Sequence, residues 1–151
     1  MAYNLHPLLS SFPVVLFTLL AFNELLLCLN FNLINQFLNK NFTRKFSILV
    51  AWLGFIASIL TLLSGYLAAE NASLSFEVNS DFIATHQSFA KLFLFLQVPL
   101  LVFLHLREQN KFINFLYQCF LFATVILVLY VGSLGASLVF VHGAGVNVLR
   151  P

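Results

Sequence analysis

Polar and charged residues fall in short clusters along this chain, and between the clusters lie four long apolar runs. The runs extend from about Pro7 to Phe31, Phe46 to Ala69, Phe82 to Leu106 and Phe112 to Val141. Each is long enough for a helix to cross a bilayer, which takes about 20 apolar residues. Stretches such as Ile48 to Leu63 do not alternate apolar with polar at every second position, so they predict helices and not the strands of a membrane barrel. The links between runs are short, and lipid offers no partners to open backbone. Consecutive helices should therefore turn back on one another in an all-α, up-and-down four-helix bundle, with residues 1–151 forming a single transmembrane domain.

Composition sharpens this into an integral membrane protein. Of the 151 residues 61% are hydrophobic and 8% charged, against about 25% charged in a soluble domain, and the mean hydropathy is +0.97. The distribution of charge sets the expected orientation. Lys40, Arg44 and Lys45 lie between the first two runs, and Arg107 and Lys111 between the last two, so both links are expected on the cytoplasmic side. Glu70, Glu77 and Asp81 fall in the link on the other side. Both termini are then expected outside, in the periplasm if the membrane is a bacterial inner membrane. A net charge of +2 read this way is a topological signal, and nucleic acid is not an expected partner.

Small residues mark the packing faces. Ala51, Gly54, Ser58, Thr61, Gly65 and Ala68 recur at intervals of three and four, and Val125, Val128, Gly132, Gly135 and Val139 form a second such stripe whose next step is His142. Close approach across small residues is the usual basis of helix association in lipid. Glycines there also clear room for a flat, bulky cofactor.

The chemistry is concentrated in histidines. His6 precedes the first helix, with Pro7 suited to its first turn, His86 opens the third and His142 closes the fourth, so the bundle topology brings all three to the outer face. Imidazole is the commonest side-chain ligand for metals, and two imidazoles from different helices suit both axes of a haem iron. His86 and His142 are the preferred iron ligands, with His6 as an alternate ligand or a donor to a propionate. Three imidazoles on one ion would suit zinc or copper instead. Gln97 lies on nearly the same face of the third helix as His86, and His105 sits at its cytoplasmic end without a histidine partner. Glu24, beside Asn23 inside the first run, calls for a partner such as His105, a proton or a quinone, or for a structural hydrogen bond. Cys28 and Cys119 read as small buried hydrophobes on the reducing side.

His6-Pro7-Leu8-Leu9, Phe12-Pro13, Gly135 and the closing segment from Leu138 to Val146, with His142-Gly143 and Gly145-Val146, together resemble the DUF2231 family of small four-helix bacterial membrane proteins. The resemblance covers most of the chain and implies the four-helix architecture, without implying an activity. Members commonly carry a second histidine just before the Phe-Pro pair, where this chain has Ser11, which leaves a two-histidine haem site in better standing than a four-histidine metal centre.

Three functional readings follow. The first is a haem b electron carrier acting between membrane quinone and an outer c-type cytochrome, inside a larger respiratory or photosynthetic complex. The second is a non-catalytic accessory subunit without cofactor, whose stripes and 19 phenylalanines pack against partner helices and lipid. The third is a histidine-based metal-binding membrane protein. No phosphate-binding glycine loop, Cys-x-x-Cys-His segment or activated nucleophile is present, so catalysis by this chain alone is not expected.

Overall fold

The computed structural model describes residues 5–28, 40–75 and 79–142 and contains four helices: α1 (Leu5–Cys28), α2 (Lys40–Ser75), α3 (Ser80–Leu106) and α4 (Lys111–Phe140). Among the described residues there is no strand. All four helices are long and apolar enough to cross a membrane, and most large apolar side chains on their outer faces are exposed, as lipid-facing positions must be.

Boundaries match the apolar runs except on α2, which begins six residues earlier and ends six later than Phe46 and Ala69. Lys40, Arg44, Lys45 and Glu70 therefore belong to the helix and not to links. At about 1.5 Å per residue α2 is roughly 54 Å long, well over the ~30 Å of hydrocarbon it has to cross. The excess length leaves its end turns room beyond the hydrocarbon, and a helix keeps its own hydrogen bonds there. Residues 29–31 of the first expected run lie outside the described residues.

Two helix starts are capped. Asn79 Oδ1 accepts from the Asp81 amide at 2.8 Å, and Asn110 Oδ1 accepts from the Phe112 amide at 2.9 Å. The α3–α4 connection is a tight turn in which the Gln109 amide donates to the Leu106 carbonyl at 3.0 Å.

The helices form a four-sided bundle. α1 packs broadly on α2 and α3 on α4, and the two hairpins meet through narrower α1–α4 and α2–α3 faces. This is the up-and-down order, and it brings the start of α1, the end of α2, the start of α3 and the end of α4 to one end. We call this the histidine end, and the opposite one the arginine end.

The core is not distributed evenly between them. Phe17, Leu20, Val50, Ala51, Leu100, Leu104, Tyr117 and Leu121 fill the bundle from its middle to the arginine end. Phe17 and Phe93 meet edge to face at 5.5 Å. Phe17 is brought in by the α2 stripe: a Cβ on Gly54 would lie 2.8 Å from Phe17 Cε2. Among the described residues of the histidine end (5–12, 59–69, 80–92 and 129–142) none is fully buried.

At the arginine end Glu24 is almost fully buried, 3% exposed at its side chain, and forms an ion pair with Arg107, itself 9% exposed. Arg107 immediately follows α3 and folds back over the Tyr117 ring, 4.8 Å from its centre. Ser47 donates to the other Glu24 oxygen at 2.5 Å, and Asn23 Nδ2 donates to Ser47 Oγ at 2.7 Å and to the Thr43 carbonyl at 3.3 Å. Arg44 pairs with Glu108 across the same end. Glu24 thus takes Arg107 and not His105, whose Nδ1 lies 2.8 Å from the Leu101 carbonyl of its own helix. Cys28 and Cys119 are free thiols on the exterior and not buried, because both point away from the bundle axis.

Candidate functional site

A cavity of about 590 Å³ occupies the histidine end, with all four helices contributing to its walls. That volume lies within the ~300–1,000 Å³ usual for small-molecule sites. Its lining is mainly apolar, including Val14, Leu62, Ile83, Phe93, Val128 and Val131, and its polar members include His6, His86, Ser10, Ser58 and Thr61.

Each histidine is seated by a glycine of the helix facing it. His6 lies in the first turn of α1, one residue past its start at Leu5, and its ring packs on α2, where a Cβ on Gly65 would come within 3.0 Å of Cε1. His86 lies in the second turn of α3 and packs on α4, where a Cβ on Gly135 would come within 3.3 Å of Cε1. The two imidazoles meet across the cavity with ring centres 6.5 Å apart and planes at 81°.

A second feature fixes the α1 wall. Pro13 has no N–H to donate to the Leu9 carbonyl four residues back. Thr61 of α2 supplies the missing donor through Oγ1, at 3.0 Å from that carbonyl. Freed carbonyls in membrane helices are commonly met by a neighbouring hydroxyl in this way. Ser64, on the next turn of α2, lies 3.0 Å from His6 Nδ1. The Nδ1 of His86 is buried without a hydrogen-bond partner.

The sequence-predicted residues separate into three groups. His6 and His86 come together in the cavity wall. His142 does not join them, because α4 ends at Phe140, and both the Val141 and His142 amides fold back onto the Ser137 carbonyl, at 2.9 and 3.2 Å. The heptad step from Val139 therefore no longer applies. The His142 ring instead stacks on Phe82, with centres 4.1 Å apart. Gln97 is fully buried in the middle of the bundle, where Nε2 donates to Ser58 Oγ at 3.0 Å and Ser58 donates to the Gly54 carbonyl at 2.7 Å. Glu24 and His105 sit at the arginine end, away from the cavity. Ser64 is the site residue that the sequence did not single out; Thr61 stood out only as a member of the small-residue stripe and Pro13 only as part of the Phe12-Pro13 pair.

The cavity has room for a small, largely apolar ligand, with two imidazoles in its wall. The two rings stand 6.5 Å apart with crossed planes, and each fills the space left by the glycine it packs on. Among the described residues no group of three or more His, Cys, Asp or Glu side chains is placed to hold a metal ion, so a three-imidazole zinc or copper centre is not assembled there.

The family model of DUF2231, described as a predicted membrane protein, matches residues 2–148, and the chain belongs to that family. No curated protein and no solved structure matches the chain closely enough to add to this.

Proposed function

Starting from a member of that membrane family with a two-histidine cavity at one end of its bundle, we propose that this chain binds haem b through His6 and His86 and passes single electrons within a membrane assembly. The observation that carries the reading is the His6–His86 pair itself, set 6.5 Å apart on two different helices and backed by two glycines. Haem bound between two imidazoles has no open position for oxygen and supplies a one-electron couple.

The chain's own contribution is placement and exclusion. α1 and α3 each offer one nitrogen, the small residues of α2 and α4 leave the space between them, and apolar walls keep water from the couple. Arg44, Lys45, Arg107 and Lys111 all lie toward the other end, and the positive-inside rule then turns the histidine end to the outer face of the inner membrane. Quinone in the bilayer and a c-type cytochrome on that outer face are the partners this orientation suits. The exposed apolar faces suit lipid and neighbouring subunits of a larger complex.

The test is a visible spectrum of the detergent-purified protein, oxidised and dithionite-reduced, with pyridine haemochrome and metal analysis on the same sample. Sharp reduced α and Soret bands at near-stoichiometric haem are expected. They should be lost in His6→Ala and His86→Ala and kept in His142→Ala. Loss in His142→Ala with retention in His6→Ala would restore the His86–His142 pairing. Colourless, metal-free protein from haem-replete cells would overturn the haem reading and leave the accessory-subunit role.

A further inference from the structure

The hydrogen bonds around His6 carry more than its position. A serine hydroxyl has one proton to give. Ser64 Oγ lies 2.9 Å from the Thr61 carbonyl, which can only accept, so this contact uses the Ser64 proton. His6 Nδ1 lies 3.0 Å from the same hydroxyl oxygen. Both contacts are hydrogen bonds only if His6 Nδ1 carries the hydrogen and donates it to Ser64. The Thr61 hydroxyl does not compete, because it is committed to the Leu9 carbonyl freed by Pro13, and the Thr61 backbone carbonyl, also a hydrogen-bond partner of the His6 ring, can only accept.

We propose that Ser64 is a positioning residue that holds His6 as its Nδ1–H tautomer, so that the Nε2 lone pair is the one offered to the cavity. The ring has little freedom to undo this, since Gly65 lies against its Cε1 side. His86 has no such hydroxyl on its Nδ1, and its ring is held instead by a hydrogen bond to the Val131 backbone. An acceptor on the distal N–H of a ligating imidazole orients it and makes it a better electron donor, and losing one typically weakens metal binding ~10–100-fold. That consequence for haem rests on the function proposed above, whereas the tautomer itself does not.

The experiment is run on full-length protein with ¹⁵N-labelled histidine, in wild type, Ser64→Ala and Ser64→Thr, with His6→Gln assigning the signals. In haem-free protein the two-bond ¹H–¹⁵N pattern of His6 should report hydrogen on Nδ1 in wild type and Ser64→Thr, and a mixture of tautomers in Ser64→Ala. Hydrogen on Nε2 in wild type, or a Ser64→Ala pattern identical to wild type, would overturn the proposal. If the protein purifies with haem, the readout is the midpoint potential. Ser64→Ala should raise it, because a less donating imidazole stabilises ferric iron less, by ~59 mV for each tenfold change of a one-electron couple. Ser64→Thr should restore it, and an unchanged potential in Ser64→Ala would overturn the proposal. Colourless protein would remove the haem reading and leave the tautomer measurable, so the two failures are told apart.

Discussion

The two ends of this bundle solve opposite problems with the same four helices. At the arginine end the side chains are large, the helices are filled between, and the buried carboxylate of Glu24 has both oxygens engaged, by Arg107 and Ser47. At the histidine end the facing positions are glycine, alanine, serine and threonine, none of the described residues is fully buried, and a 590 Å³ cavity takes the place of a core. In lipid there is no hydrophobic drive between helices, so contact and polar pairing must hold them together. One end supplies most of that contact, which is what allows the other end to remain hollow. Stability and binding capacity are thus separated along the bundle axis.

The most severe way to break this comparison is to open the arginine end. Arg107→Ala leaves Glu24 buried without a cation, and removing one member of a buried pair costs about 3–5 kcal/mol. Unfolding in detergent, by heat or by added dodecyl sulfate, should show that loss, while His6→Gln at the other end should shift the same transition far less. Comparable losses from the two variants would mean that the ends share the load.

Gly54→Ala probes the border between the two. Its new methyl group would meet Phe17 at 2.8 Å, and Phe17 is locked by Phe93 and is only 1% exposed. Overpacking of a filled site costs about 1–3 kcal/mol, partly offset by the ~1 kcal/mol that alanine gains over glycine in a helix. Thr61→Val should cost about 1–2 kcal/mol, the penalty of leaving the Leu9 carbonyl without its donor. Infrared spectroscopy with a ¹³C-labelled Leu9 carbonyl would check the cause, since that band should move to higher frequency only in Thr61→Val.

Much of this contrast can be read from the chain. Four apolar runs give four helices in up-and-down order, because each run must pair its own backbone inside lipid. The small-residue stripes give the packing faces, and they do face the rings of Phe17, His6 and His86. Convergence of His6 and His86 follows from topology alone. What was illegible depended on where helices stop and how side chains bend back. The stripe on α4 extrapolates to His142 only if the helix continues, and it ends two residues short. Arg107 reads as a link residue, yet it turns inward because Glu24 offers the stronger partner. Cys28 and Cys119 have the composition of core residues and face outward, since their rotation about the helix axis depends on neighbours that periodicity does not name. Ser64 lies one position off the α2 stripe, and its role exists only through the distances to His6 and the Thr61 carbonyl.

The smallest stability effect is the most discriminating. Gly132 lines the cavity, and a Cβ there would meet only Val14 Cγ2, at 3.8 Å, which is ordinary contact. Gly132→Leu therefore places its added carbons in empty space instead of forcing neighbours apart. With helix propensity also improved, the unfolding transition should stay within about 0.5 kcal/mol of wild type or rise slightly. The same four carbons nevertheless occupy volume between the two histidines' helices, so a haem spectrum present in wild type should fall away in this variant. A filled, stable and colourless Gly132→Leu protein would show that the hollow end is kept open for a ligand and not for packing. A variant that kept its haem would place the cofactor outside this cavity, and one that lost several kcal/mol would mean that the histidine end is as tightly constrained as the arginine end.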